Sequence, residues 1–185
     1  MLLCKIDHID KTFSNKILFQ HVTFEIRQHD HIGIVGENGC GKTTLLNILT
    51  NKIMPDEGKV TWYATYQYFQ QFDEQLYDDI SGGEALRNRL QETIQSNAFV
   101  YLLDEPISNL DNAGIQKVSY FLHHCDTYVI VSHDPQLLSE CTKIIEISHH
   151  QVQIYEGNYE AYQIQKEKQN KKIQEEYNTY IQQRQ

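Results

Sequence analysis

The chain has 185 residues, of which 40% are hydrophobic and 22% charged, so it can bury one well-packed core and is not a disordered chain. Its net charge of −9 argues against a protein that coats nucleic acid by positive charge alone. The N-terminus has no apolar run of signal-peptide length and no stretch of about 18 apolar residues occurs, so we expect a cytoplasmic protein without a membrane partner.

Short apolar segments rich in β-formers recur along the chain, with helix-like stretches between several of them. The predicted strands are Leu2–Ile9, Val22–Ile26, Ile32–Val35, Lys59–Tyr63, Phe99–Leu103, Tyr128–Val131, Ile144–Ile147 and Val152–Tyr155. The predicted helices are Thr43–Leu49, Glu84–Gln95, Asn112–His124 and Pro135–Glu140. This alternation predicts an α/β fold with a mainly parallel sheet. The first two and the last two strands are expected to be antiparallel additions, because little chain joins them.

The composition changes after the sequence YEGNYEAY to Gln, Lys, Glu and Tyr. Four apolar side chains then recur at helical spacing and predict a narrow stripe on an otherwise polar helix: Ile173, Tyr177, Tyr180 and Ile181. Such a helix is marginal alone and expects a partner or a continuation, whereas the alternative is a solvated tail. We therefore predict one domain at residues 1–161, followed at residues 162–185 by the start of a helical segment.

The sequence GENGCGKT, residues 36–43, matches the pattern G-x-x-x-x-G-K-[ST] between a predicted strand and a predicted helix. Glycines let backbone N–H groups turn toward a phosphate, and the following helix N-terminus adds partial positive charge. Lys42 can bridge the β and γ phosphates of a nucleotide, and the Thr43 hydroxyl can bind Mg²⁺. The alternative is a glycine-rich turn that binds nothing. The predicted cofactor-binding residues here are Gly36, Glu37, Asn38, Gly39, Cys40, Gly41, Lys42, Thr43 and Thr44.

Two later strands also end in polar side chains. In FVYLLDEP the strand ends in Asp104 and Glu105, and in VIVSHD it ends before His133. In enzymes with a phosphate loop, an acid at such a position holds magnesium and a second acid orients the attacking water. Asp104 is therefore a predicted metal ligand and Glu105 a predicted catalytic base, while His133 could reach the γ-phosphate. Without the phosphate loop, a helix cap or a turn would explain the acids, and a structural role would explain the histidine.

The sequence ISGGE, residues 80–84, stands shortly before Asp104, and with the motifs above it resembles the ATP-binding-cassette (ABC) family from Leu2 to about Tyr162. The resemblance implies an ABC-type nucleotide-binding domain that binds ATP and Mg²⁺. It implies a signature at Ser81, Gly82, Gly83 and Glu84, and a D-loop at residues 108–111 that includes Asp111. It also implies that Phe13 replaces the usual tyrosine that stacks on adenine. Gln71 would be the Q-loop glutamine, a catalytic residue that also contacts the metal, and Gln70 is the alternative.

Within that family, NGCGKTT, a signature ending in Glu, and YEGNYEAY before a charged helix look like the ABC-F branch. Its members carry two cassettes joined by a long helical linker, which would begin here near Tyr159, and act on the ribosome. Only nine residues separate Gln71 from Ser81, which implies a much reduced helical subdomain and resembles antibiotic-resistance members. The branch's DEPTNHLD is here DEPISNLD, so the D-loop differs while Asp111 remains.

The resemblance implies an ATPase that acts on the ribosome, with antibiotic resistance by ribosome protection as the expected role. In this family the signature faces the phosphates of an opposite cassette, so a second cassette is expected, in the same longer chain or in a homodimer. The end of the chain inside a linker-like helix favours a longer chain. Two alternatives remain open: the ATPase subunit of a membrane transporter, and a non-hydrolysing ATP-gated binding module, against which Glu105 and His133 argue.

Overall fold

The computed structural model describes residues 1–70, 91–93, 95–108 and 110–182. Its strands are β1 (Leu2–Phe13), β2 (Lys16–Arg27), β3 (His31–Gly36), β4 (Glu57–Trp62), β5 (Tyr66–Phe69), β6 (Val100–Asp104), β7 (Tyr128–Val131), β8 (Lys143–Ser148) and β9 (Gln151–Glu156). Its helices are α1 (Lys42–Leu49), α2 (Asn112–His124), α3 (Pro135–Ser139) and α4 (Tyr159–Gln182). Most of the predicted helix Glu84–Gln95 lies outside the described residues.

The strands of the described residues form two sheets. The larger has the order β5-β6-β7-β3-β8-β9 and is parallel except for β9, which pairs antiparallel with β8. The smaller has the order β2-β1-β4 and is antiparallel. The predicted parallel sheet with antiparallel additions at both ends of the chain is therefore confirmed.

Two strand predictions were wrong in detail. The first two strands were predicted too short. Strand β1 continues to Phe13 and strand β2 already begins at Lys16, so the two form one long hairpin. Strand β5 was missed altogether. It is only four residues long, and its sequence YQYF has no run of apolar residues to mark it. All four of its residues pair in parallel with Val100–Leu103 of β6, a contact between distant parts of the chain.

The central strands are apolar except at their ends, as expected where both faces of a sheet are covered. Leu102 of β6 packs in one cluster with Leu45 and Ile48 of α1. The next residue, Leu103, packs in a second cluster that includes Val118 of α2. Successive side chains of a strand point to opposite faces, so a single strand contributes to both cores.

Helix α4 is anchored to the body by a buried carboxylate. Glu146 of β8, whose side chain is 7% exposed, accepts hydrogen bonds from the hydroxyls of Tyr155 at 3.2 Å and Tyr162 at 3.1 Å, and it pairs with Lys166. Three donors satisfy a charge that would otherwise be costly to bury. The predicted division between residues 161 and 162 falls inside α4, and it stays a prediction.

The rest of α4 is polar and lies at the surface. The predicted apolar stripe lies in the C-terminal half of α4, where its four side chains are between 40% and 63% exposed. Among the described helices, α4 included, none has both the length and the apolar character that crossing a bilayer requires.

We predict that Lys166→Ala destabilises the protein by on the order of 2 kcal/mol, because it leaves a buried carboxylate without its countercharge. Denaturant unfolding and hydrogen exchange of the amides at residues 159–169 measure the effect. Lys168→Ala is the matched control, since Lys168 is exposed on the same helix. Equal stability of the two variants would contradict the assigned role of the Glu146 pair.

Candidate active site

Three neighbouring parallel strands end at one edge of the larger sheet and bring the predicted motifs together. Strand β7 lies between β6 and β3, and Val131 pairs with both Asp104 and Ile34. The loops that follow these strands therefore meet at the carboxyl edge, where open α/β sheets bind ligands. They enclose a cleft of about 590 Å³.

Ten of the predicted site residues line this cleft: Phe13, Asn38, Gly39, Gly41, Lys42, Thr43, Thr44, Asp104, Glu105 and His133. Leu18, Ser108 and Val131 complete its lining. Three residues of the same loop, Gly36, Glu37 and Cys40, line adjacent hollows instead. The predicted residues Gln71, Ser81, Gly82, Gly83 and Glu84 lie outside the described residues, as does Asn109 of the D-loop.

Asp111 has a structural contact of its own. Its side chain accepts a hydrogen bond from the backbone N–H of Gly114 at 2.8 Å and caps the N-terminus of α2. It is not among the residues that line the cleft. A role for Asp111 toward a nucleotide, including one bound by a second cassette, stays a prediction.

Two glycines of the loop are required by its geometry. Gly36 has φ +151° and Gly41 has φ +109°, values at which a side chain is strained. A Cβ atom would lie 2.6 Å from the carbonyl oxygen of Ile147 at Gly36, and 2.7 Å from the Phe19 ring at Gly41. The loop is thus packed between β8 on one side and β2 on the other, which fixes its path.

Lys42 carries its charge into the middle of the loop. The side chain is almost buried, and its Nζ donates hydrogen bonds to the carbonyl oxygens of Gly36 at 2.8 Å and Glu37 at 3.1 Å. Lys42 is also the first residue of α1, whose initial backbone N–H groups lack partners within the helix. A mobile cation and a helix N-terminus at the same place form a suitable site for an anion.

Asp104, at the end of β6, is fully buried, and within the described residues its Oδ1 has no hydrogen-bond partner. Burial raises the pKa of this carboxyl, while the Thr43 and Tyr68 hydroxyls and the charge of Lys42 oppose the rise. A buried oxygen without a partner beside a threonine hydroxyl suits Mg²⁺, which prefers oxygen ligands. Within the described residues, no group of three or more His, Cys, Asp or Glu side chains is arranged to hold a metal ion by itself.

Glu105 is turned into the cleft by an unusual backbone conformation. Its φ is +46°, and its N–H donates to the carbonyl oxygen of Val131 at 3.0 Å. The side chain then lies near His133, with 3.4 Å between Oε1 and Nε2. A non-glycine residue held at positive φ carries strain of the kind found at functional sites.

The titration of this pair follows from its surroundings. Burial, and then the negative charge of Asp104, raise the pKa of Glu105, although Lys42 opposes them. Partial burial, and then the positive charge of Lys42, lower the pKa of His133. The imidazole is therefore mainly neutral at pH 7, and the contact is a neutral imidazole beside a carboxylate of raised basicity. Such a carboxylate is suited to accept a proton from water.

Sequence reasoning missed Tyr68, whose hydroxyl lies 3.5 Å from Oδ2 of Asp104. It also missed Leu18, which lines the cleft from the hairpin side. Tyr68 belongs to the unpredicted strand β5, and a single tyrosine there follows no chemical pattern. Only its proximity to the glutamine pair Gln70 and Gln71 could have drawn attention to this stretch.

Comparison with known proteins agrees with this geometry. The family model described as "ABC transporter" matches residues 19–76. The ribosome protection protein VmlR of Bacillus subtilis is 29% identical, over 93% of this chain and 36% of the relative. The erythromycin resistance ATP-binding protein MsrA of Staphylococcus epidermidis is 32% identical, over 76% of this chain and 34% of the relative. The chain thus spans about a third of the length of these curated relatives.

Solved structures show the same fold. The ATP-binding cassette MJ0796, in a dimeric post-hydrolysis state bound to ADP and Pi, is matched with a TM-score of 0.72 and 19% identity, over 83% of this chain and 98% of that chain. A nucleotide-free ATP-binding cassette from an ABC transporter is matched with a TM-score of 0.70 and 18% identity, over 88% of this chain and 94% of that chain. At these identities the likeness supports the fold alone.

The fold and the comparisons define the chain as an ABC-type ATPase domain, as the motifs predicted. The curated relatives named above are ABC-F proteins, so the similarity is consistent with membership of the ABC-F family.

We predict that Asp104→Asn stabilises the chain by roughly 1 kcal/mol at pH 7 without nucleotide or magnesium, because it removes a buried charge. Since folding raises the pKa of Asp104, the folded wild type binds the proton first as the pH falls, and the cost of the charge disappears. The difference between the two proteins should therefore shrink on acidification. Thermal melts across pH test this, with the exposed Glu167→Gln as control, and a destabilised Asp104→Asn would contradict it.

Proposed function

We propose that the chain is the ATP-binding and ATP-hydrolysing cassette of a cytoplasmic protein that acts on the ribosome, with antibiotic resistance by ribosome protection as its role. One observation carries the ATPase proposal. One cleft is lined by Lys42, by Asp104, whose Oδ1 has no hydrogen-bond partner among the described residues, and by the Glu105 and His133 pair. These are the groups that binding a phosphate chain, holding a metal and activating water require.

The residues act in the following way. Phe13, at the hairpin end of the cleft, stacks on the adenine ring. The backbone N–H groups of the loop and Lys42 hold the phosphates, so Lys42 moves its Nζ hydrogen bonds from the loop carbonyls to phosphate oxygens. Thr43 and Asp104 would hold Mg²⁺, which would neutralise charge on the phosphates. Gln71 would contribute a further contact to the metal and to water.

Glu105 and His133 perform the proton chemistry. Glu105 accepts a hydrogen bond from the attacking water and takes its proton as the water oxygen bonds to the γ-phosphorus, while the bond from that phosphorus to the β–γ bridging oxygen breaks and ADP leaves. The neutral His133 lies against Glu105 and can donate its ring N–H to the γ-phosphate or to the carboxylate. Most of the rate enhancement comes from positioning and from charge already in place before reaction.

A complete site requires a second cassette. We propose that Ser81, Gly82, Gly83 and Glu84 contact the nucleotide held by the other cassette, with Asp111 of the D-loop at the junction. A hydroxyl and backbone N–H groups of this kind are donors for an anion. The second cassette lies in the same longer chain or in a second copy. The length of the curated relatives, about three times that of this chain, supports the first arrangement.

The names of the relatives support the ribosome as partner, since they include a ribosome protection protein, an erythromycin resistance protein and elongation factor 3 of Mycosarcoma maydis, which is 28% identical. The transporter alternative predicts a membrane protein as partner instead. Sedimentation of a Glu105→Gln variant with ribosomes or with membranes distinguishes the two.

We predict that Lys42→Ala weakens ATP binding by at least about tenfold, since hydrogen bonds from a cation to an anion contribute about 1.5–3 kcal/mol each. Titration calorimetry of Mg-ATP measures the change. Lys59→Ala removes the same charge from the exposed strand β4 and should leave the affinity unchanged. Equal affinities of both variants and the wild type would remove Lys42 from the proposed site.

We also consider Glu105→Gln in a protein that includes the second cassette, with the equivalent acid of that cassette also changed to Gln. Glutamine keeps the size but cannot accept the proton from water, so hydrolysis should fall by about a hundredfold or more while ATP binding survives. If the ATP-bound state binds ribosomes, this variant should sediment with ribosomes in ATP and inhibit translation.

The control is the same protein with Lys42→Ala added, which should not sediment with ribosomes because it cannot hold ATP. Failure of Glu105→Gln to comigrate with ribosomes in ATP would reject the ribosome proposal. ATP-dependent association with a membrane fraction would favour the transporter alternative. Undiminished hydrolysis would reject Glu105 as the base.

A further inference from the structure

The hydroxyl of Tyr68 connects two parts of the site that are far apart in the sequence. It lies 3.5 Å from Oδ2 of Asp104 and 3.4 Å from Oδ1 of Asn47. Asn47 belongs to α1, the helix that begins at Lys42, and Asp104 ends β6. One hydroxyl proton can be shared between two acceptors in a three-centre hydrogen bond. Tyr68 therefore bridges the helix of the phosphate loop and the acid.

The contact matters because of where the Asp104 carboxylate lies. The side chain is fully buried, so it cannot obtain its hydrogen bonds from bulk water. The final torsion of an aspartate is broad, so burial alone does not fix the plane of the carboxylate. A donor on Oδ2 fixes that plane, and it leaves Oδ1 as the oxygen without a partner within the described part of the chain.

A cation lies over the ring of the same tyrosine. Lys52 places its Nζ 4.6 Å from the ring centroid of Tyr68 and donates a hydrogen bond to Oε1 of Gln70 at 2.7 Å. A positive charge over an aromatic face is attracted to its electrons and polarises the ring, which makes the hydroxyl a stronger donor. The tyrosine is thus held from its face and from its hydroxyl end.

We propose that Tyr68 is a positioning residue for the metal site: it holds Oδ2 of Asp104 so that Oδ1 is presented to Mg²⁺ bound with ATP. This inference rests on the proposed function, since it assumes that Asp104 contacts the metal. Ligands of a metal depend on the groups that orient them, and loss of such a group weakens metal affinity by about 10–100-fold.

The test separates metal-dependent from metal-independent binding. Calorimetry with a non-hydrolysable ATP analogue measures two affinities for each protein, one in Mg²⁺ and one in EDTA. We call the ratio of the affinity in Mg²⁺ to the affinity in EDTA the magnesium gain. We expect Tyr68→Phe to keep the affinity measured in EDTA, while its magnesium gain falls about tenfold. The electron paramagnetic resonance spectrum of Mn²⁺ bound with the analogue should also change, because one ligand is less rigidly held.

The chain offers a matched control on the same strand. Tyr66 lies two residues earlier on β5, and its hydroxyl donates to the backbone carbonyl of Thr50 at 3.3 Å rather than to Asp104. Tyr66→Phe removes an equivalent hydroxyl from the same face and should leave the magnesium gain unchanged. If Tyr68→Phe retains the full gain, or if Tyr66→Phe loses as much, the positioning role is wrong.

A second variant covers the case in which Tyr68→Phe does not fold. Asn47→Ala removes the competing acceptor and leaves the tyrosine hydroxyl to Asp104, so the magnesium gain should be retained or increased. Loss of the gain in Asn47→Ala would show that the tyrosine acts only by packing α1, and would overturn the proposal. If the wild type shows no magnesium gain at all, the proposed function fails, and that outcome differs from both results above.

Discussion

Parallel pairing of β6, β7 and β3 is the constraint on which the rest of the site depends. Asp104, Glu105 and His133 are contributed by two adjacent strands, and the phosphate loop follows the third. Apart from the adjacent residues Asp104 and Glu105, these groups are far apart in the sequence. The hydrogen bonds between the strands bring their carboxyl ends to one edge, and burial of the apolar strand residues on both faces holds them there.

The charges of the cleft form one coupled set. Two acids, one lysine and one histidine share a space from which water is partly excluded, so the charge of Lys42 acts on the protonation of the other three groups. Burial favours the protonated form of Asp104 and Glu105, while Lys42 favours their ionised form and disfavours a charged His133. Burial and the charge of Lys42 therefore act in opposite directions on the two acids. A divalent cation together with a polyphosphate would supply a positive charge to the acids and a negative one to the lysine.

The parts of this protein that were predicted from sequence are those encoded by local patterns. The phosphate loop needs glycine at Gly36 and Gly41 for backbone reasons, and buried strands such as β7 are continuous apolar runs. The missed parts depend on long-range contacts. Strand β5 exists because β6 pairs with it, and Tyr68 matters only because folding places it beside Asp104. No property of residues 66–69 taken alone indicates either contact.

The anchor of α4 has a mechanical consequence. Glu146 pairs in register with Val35, the residue before Gly36, so the helix is fixed to the strand adjoining the one that leads into the phosphate loop. Beyond the anchor, residues 170–182 are exposed and extend for about 20 Å at the helical rise of about 1.5 Å per residue. The helix can therefore act as a lever whose pivot, at Glu146, lines the hollow that also contains Gly36 and His133. A small rotation of the sheet at this pivot would move the far end of the helix, and the distance moved grows with the length of the helix.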